Sequence, residues 1–438
     1  MESAIPKETE TIAVKRSKRL ANKLIEAKRG LVISRAWWSN GPLEIVIVAF
    51  ILGLNFFLIY PLFGTAAFET SFSGPVIPFL ALFIKSFGVP LTYAIQIVNL
   101  FFFLGFLPSF YYFVKKVSDR KLVAFLAVLI VSLPFSPFAK SRIMASFFGI
   151  EGPHVASLAL IPIALATLLS FLRQGEVKNL IFASFSSALV ALTSPFGFMT
   201  YLIFAGIVLF SEILLGRGRV KLARFLGAML FSGGLCSFWY NPAFFFWMIL
   251  GPLGEEIREM IVKLIPLSFF SLPVLATFGY LLFDRKPGLQ PLFLASFYFI
   301  AFSMIVWAGG EVMPAHPSRY LAEFGLSLAF LVSVALVKGI EYLAKINLLR
   351  LPLGIRPYFA NFLFLLMIFV LTGVVLLGRR LVTSELSVLG MLSEFSKGSL
   401  WLEKDKFASI WLYLGYAISG ITILILAFLG VRTKKENL

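Results

Sequence analysis

Long apolar runs recur along this chain, and nothing else constrains its fold as strongly. Each run is near the ~20 residues that a helix needs to cross the hydrocarbon core of a bilayer. We read about twelve of them, over residues 43–63, 90–114, 122–138, 155–172, 179–193, 197–215, 222–239, 267–283, 290–308, 321–337, 358–378 and 407–430. A soluble domain is about 45–50% apolar, whereas this chain is 59% hydrophobic with a mean hydropathy of +0.92. The expected fold class is therefore all-α, a polytopic integral membrane protein. The shortest break between runs is Thr193-Ser-Pro-Phe-Gly197, where Pro and Gly mark a tight turn.

Charge gives the expected orientation. The formal net charge is +17, which in a soluble protein would suggest nucleic acid. Here the bases are confined to tails and short connectors, so no nucleic-acid partner is expected. With the N-terminus inside, 28 of the 39 Lys and Arg fall on the inner side, against 11 outside. By the positive-inside rule both termini are cytoplasmic, in a multi-pass protein of the plasma membrane.

Three regions follow from this. Residues 1–42 are expected to be a basic cytoplasmic tail that either carries an interfacial amphipathic helix, with Trp37 and Trp38 at headgroup level, or serves simply as a retention signal for the cytoplasmic side. Residues 43–430 form the transmembrane domain, with outer loops at 64–89, 139–154, 240–266, 309–320 and 379–406. Residues 431–438 are a cytoplasmic tail. Within the first outer loop, residues 76–87 give only about 18 Å of helix, short of the ~30 Å core. That segment is expected to lie on the outer face or re-enter it.

The outer loops hold the candidate chemistry. Glu69 follows the first span. A carboxylate partly screened from water can act as general base on an acceptor hydroxyl. His316 and Arg319 lie in Gly309-Gly-Glu-Val-Met-Pro-Ala-His-Pro-Ser-Arg-Tyr320. Arg offers a planar fork for phosphate oxygens. Glu323, one turn beyond Arg319, could instead pair with it. Lys140 and Arg142, with Glu151 and His154 opening the next run, could form a polar pocket or anchor at headgroup level. The single cysteine, Cys236, excludes an intramolecular disulfide. The two histidines are too few for a His-based zinc site. No P-loop, dinucleotide fingerprint or HExxH motif occurs.

Several of these pieces together resemble a family. They are the long first span, Glu69 in the first outer loop, the short segment after it, and outward loops between many spans. The motifs are Gly149-Ile-Glu-Gly-Pro-His154, Ala191-Leu-Thr-Ser-Pro195, Phe238-Trp-Tyr-Asn-Pro242 and His316-Pro-Ser-Arg319. The chain resembles the GT-C superfamily of membrane glycosyltransferases over roughly 43–405. Within it, the chain is similar to the prokaryotic membrane proteins labelled 6-pyruvoyl-tetrahydropterin synthase-related.

The resemblance implies a GT-C-like fold and an inverting transfer from a polyprenyl-phosphate-linked sugar donor at the extracytoplasmic face. It implies Glu69 as base, and Arg319 with His316 and Arg142 as holders of the lipid phosphate. No cofactor is evident; a divalent metal is compatible with such a site, though no ligand cluster is. Two departures stand beside it. Glu69 is alone where the family commonly has an Asp beside a second acid, and the chain ends in one more span and a short basic tail. The alternatives are a secondary transporter or lipid carrier, and a non-catalytic subunit of a membrane complex.

Overall fold

The computed structural model describes residues 41–60, 74–148, 152–244, 287–308, 320–346, 356–378 and 409–436, together with Leu250, Thr277 and Gly279. Every regular element among the described residues is helical. In chain order these are α1 (Gly41–Ile59), α2 (Val76–Lys85), α3 (Leu91–Ser118), α4 (Lys121–Val131), α5 (Ala139–Ile143) and a π-helical turn (Met144–Phe148). Then come α6 (Gly152–Gln174), α7 (Val177–Thr193), α8 (Pro195–Leu214), α9 (Gly218–Cys236), α10 (Gln290–Ala308), α11 (Leu321–Ile346), α12 (Arg356–Leu377) and α13 (Ser409–Glu436).

Six helical segments among the described residues are long and apolar enough to cross a membrane, those of α3, α6, α8, α10, α11 and α13. Shorter apolar helices, α1, α2, α4, α7 and α12, stand among them. The chain is thus an all-helical, multi-pass membrane protein.

α6 is the axis of the bundle, buried over most of its apolar window and packed by α3, α7, α8 and α9. An apolar stripe all the way round is what a fully enclosed helix requires. α10 and α11 pair with each other, and α11 also lies on α4. At the rim, α13 buries little of its surface and shows Ile410, Leu424 and Phe428 outward. Such a surface suits lipid.

The expected break between 179–193 and 197–215 is a single non-helical residue, Ser194. Its Oγ accepts the Gly197 N–H at 3.2 Å, and Pro195 occupies the first helical position. Both are start signals for a helix. α2 has ten residues and stops at Gly88, whose φ of +86° separates it from α3. Ile77 and Ala81 are buried, while Phe79, Leu82, Phe83 and Phe87 are exposed.

The expected span 267–283 lies outside the described residues apart from Thr277 and Gly279, and the expected span 122–138 is broken. Of 122–138, only Lys121–Val131 is helical, 11 residues or about 16 Å. Pro134 and Pro137 are the cause: proline removes an N–H and pushes the preceding residue out of the helical region. The irregular stretch 132–138 is enclosed in part, with Ser132, Leu133, Pro134 and Phe138 buried and Phe135 and Ser136 exposed. Ser132 Oγ donates to Val128 O and accepts from Asn55 Nδ2 at 2.8 Å, and Gly325 of α11 presses on Pro137. A Cβ at Gly325 would come within 2.1 Å of the Pro137 carbonyl oxygen. Irregular backbone at membrane depth persists where protein encloses it in this way.

Candidate functional site

The break after α4 sends the chain back into the bundle, and α5 delivers Arg142 into its interior. The guanidinium is 1% exposed. It lies over the rings of Phe103 at 4.8 Å and Phe106 at 4.4 Å. Nη2 donates to the Val131 carbonyl at 3.0 Å, an acceptor that the end of α4 leaves open. Nε and Nη1 have no hydrogen-bond partner among the described residues. Phe103 and Phe106 lie about 18 and 22 Å along α3, a helix of about 42 Å. A guanidinium halfway along a membrane-crossing helix, with two N–H groups unused, is costly to keep.

On the side of Arg142 away from the basic connectors, α6 and α11 begin. His154 and Glu323, the third residue of each, meet there: Nε2 and Oε1 are 2.7 Å apart, with side chains 1% and 0% exposed. The approach is close but off the N–H direction, and no hydrogen bond of ordinary geometry joins them. Tyr320 packs edge-on to the imidazole, ring centres 6.4 Å apart. Asn99 of α3 lies nearby in the packing. Its Nδ2 donates to Ser146 O at 3.3 Å, while Oδ1 has no partner. Gly152 makes room for it: a Cβ there would meet the Asn99 amide at 2.9 Å.

Of the residues expected from sequence, the structure therefore places Arg142 and His154 in the interior, not at a headgroup-level surface. Lys140 is half-buried on the same short helix as Arg142. Glu69, Glu151, His316 and Arg319 lie outside the described residues. Glu323 meets His154, a contact that a local i, i+4 reading with Arg319 does not contain. Asn99 was not singled out, although Gln96 and Asn99 inside an otherwise apolar run are a signal, since polar residues within a span usually face its interior. Among the described residues, no group of three or more His, Cys, Asp and Glu could hold a metal ion.

A second polar group stands at the opposite end. Glu212, at the end of α8, is 2% exposed. Its Oε1 accepts from Arg173 Nε at 2.9 Å and from Gln290 Nε2 at 2.7 Å, and its Oε2 from Lys221 Nζ at 2.7 Å. Arg173 Nη2 also donates to Gln290 Oε1 at 2.7 Å. α6, α8, α9 and α10 are tied together here with the carboxylate fully used. Chemically this is a clasp, whereas the groups around Arg142, with donors and acceptors to spare, can receive a polar ligand. No protein-family model and no curated protein matches the chain.

Proposed function

We propose that the chain is a GT-C-type glycosyltransferase that uses a polyprenyl-phosphate-linked sugar at the extracytoplasmic face of the plasma membrane. The observation that carries this reading is Arg142, a buried guanidinium with Nε and Nη1 unpartnered among the described residues. A charged donor kept dry and unpaired is suited to an oxyanion, because its hydrogen bonds strengthen as water is excluded.

In this reading Glu69 takes the proton from the acceptor hydroxyl. The acceptor oxygen bonds to the anomeric carbon while the bond from that carbon to the phosphate oxygen breaks. The electron pair stays on the phosphate, and Arg142, with Arg319 and His316, holds the growing charge. Among the described residues Arg142 is the group that would hold the phosphate, and the reading routes no step through a metal.

A second reading has an observation of its own. Arg142 lies halfway along α3 beside a broken helix, and carriers place their sites at such a level. That arrangement would also serve a secondary carrier of organic anions or lipid phosphates.

The test uses the full chain in nanodiscs with a radiolabelled polyprenyl-phosphate sugar and a hydroxyl acceptor. Sugar transfer by the wild type, lost in Glu69→Gln and with a raised KM in Arg142→Lys, supports the enzyme. Intact donor in the nanodisc assay, with movement of donor across proteoliposomes, supports the carrier. Donor that is neither consumed nor moved leaves a structural subunit and overturns both.

A further inference from the structure

At the end of the bundle holding the Glu212 clasp, a cleft of about 560 Å³ opens between the α3–α4 turn, the end of α6, the start of α10 and the last turns of α11. Lys116, Arg120, Arg173 and Lys338 line it, against Asp119 as its acid. Behind them, Glu341 pairs with Arg120 and Glu212 with Arg173. Among the described residues Lys116 and Lys338 have no ion pair of their own, Glu341 being shared electrostatically between Arg120 and Lys338. The Lys116 ammonium lies 5.4 Å from the Tyr112 ring centre, and Lys338 Nζ donates to the Gly288 carbonyl at 3.1 Å. The cleft therefore holds a surplus of positive charge even after its ion pairs are counted.

Two backbone features point the same way. The single-turn 3-10 segment Pro287–Leu289 leads into α10, and both Gly288 and Gln290 line the cleft. A helix N-terminus presents N–H groups and the positive end of its dipole. The α3–α4 turn is held open by Asp119 at φ +53°, where Ser118 Oγ accepts the Arg120 N–H at 3.3 Å. Lysines and a helix N-terminus thus converge on one concave space at the bundle end.

We infer that this cleft binds a phosphate-bearing anion, the headgroup of an anionic phospholipid. It is separate from the Arg142 site, being at the C-terminal end of α3 while Arg142 packs halfway along that helix, and stands whether or not that site is catalytic. The charge sign, the size and the place at the rim of membrane-crossing helices all fit a lipid phosphate. Basic pockets between helices favour such headgroups over zwitterionic ones.

The test is thermal unfolding and native mass spectrometry of the full chain in detergent. The probes are short-chain phosphatidylglycerol, phosphatidylcholine as the zwitterionic control, and inorganic phosphate and pyrophosphate. Phosphatidylglycerol is expected to bind and raise the unfolding temperature, and phosphatidylcholine is not. Lys116→Gln with Lys338→Gln is expected to weaken that binding about thirtyfold, roughly fivefold per lysine. Lys178→Gln, at an exposed site paired with Glu176, is expected to leave it unchanged. If the double variant does not fold, Lys116→Gln alone reads the fivefold step. Protection by inorganic phosphate or pyrophosphate as strong as by the lipid would assign the cleft to a soluble anion. Equal binding of both lipids, or no loss in the lysine variants, would overturn the proposal.

Discussion

The two buried polar groups of this protein differ in how completely they are satisfied. Around Glu212 both carboxylate oxygens accept charged or amide donors from three other helices. Around Arg142, two guanidinium nitrogens, the Asn99 carbonyl oxygen and the His154 Nδ1 have no partner among the described residues. Burying a charge is tolerable when it is paired and bonded. A fully bonded group repays its burial in structure alone. Polar atoms left open in the interior do not, and they are where a ligand would be received.

If that contrast is right, substitutions at the two ends should separate in stability. The largest effect is expected at the clasp. Glu212→Ala removes the carboxylate partner of Lys221, which is 12% exposed and keeps only its bond to the residue-212 carbonyl, and removes the acceptor shared by Gln290 and Arg173. Breaking a buried pair by removing one partner costs roughly 3–5 kcal/mol. Thermal unfolding in detergent should show it, and a change under about 1 kcal/mol would break the comparison.

Next comes the packing that encloses the broken segment. Gly325→Ala places a methyl against the Pro137 carbonyl at 2.1 Å. Overpacking of this kind costs about 1–3 kcal/mol, read in the same unfolding experiment and accompanied by weaker ligand binding at Arg142, because α5 follows that turn. Ser194→Ala is smaller. It removes the cap on the Gly197 N–H, worth about 1 kcal/mol, and is expected to leave function intact.

The smallest effect on stability is expected at the open group. His154→Leu with Glu323→Leu replaces a buried polar contact by apolar residues. Replacing both partners of such a contact together is often nearly neutral or stabilising. A clear loss of stability would mean that the pair is a second clasp.

The sequence reveals some of this and hides the rest for physical reasons. Apolar runs are legible because a bilayer demands ~20 such residues per helix. The Ser194-Pro195 break is legible because cap and proline act locally. The end of α4 is hidden by its own composition: apolar length argues for a span over 122–138, and only the tertiary fold shows how Asn55 and Gly325 back the unwound chain after Val131. Arg142 and His154 were singled out by residue type, but their depth was not legible. It depends on the re-entry of α5 and on Phe103 and Phe106 of another helix. The Glu323 partner was unreadable for the same reason: His154 belongs to a helix distant in the chain, and local spacing offered Arg319 instead. The Glu212 clasp joins four helices, and no local pattern announces it.

The most direct test of the central claim, that Arg142 is kept unpaired to hold a lipid phosphate, needs no turnover. The full chain in nanodiscs is titrated with a polyprenyl phosphate, and bound ligand is measured for the wild type, Arg142→Met and Arg142→Lys, each checked for folding by its unfolding temperature. Arg142→Met is predicted to unfold within about 1 kcal/mol of the wild type, a near-isosteric apolar exchange at a buried charge, yet to lose at least tenfold in affinity. Arg142→Lys is predicted to fall between them, because charge remains while the fork is lost. Equal affinity in all three, or Arg142→Met failing to fold while Glu212→Ala folds normally, would contradict the account.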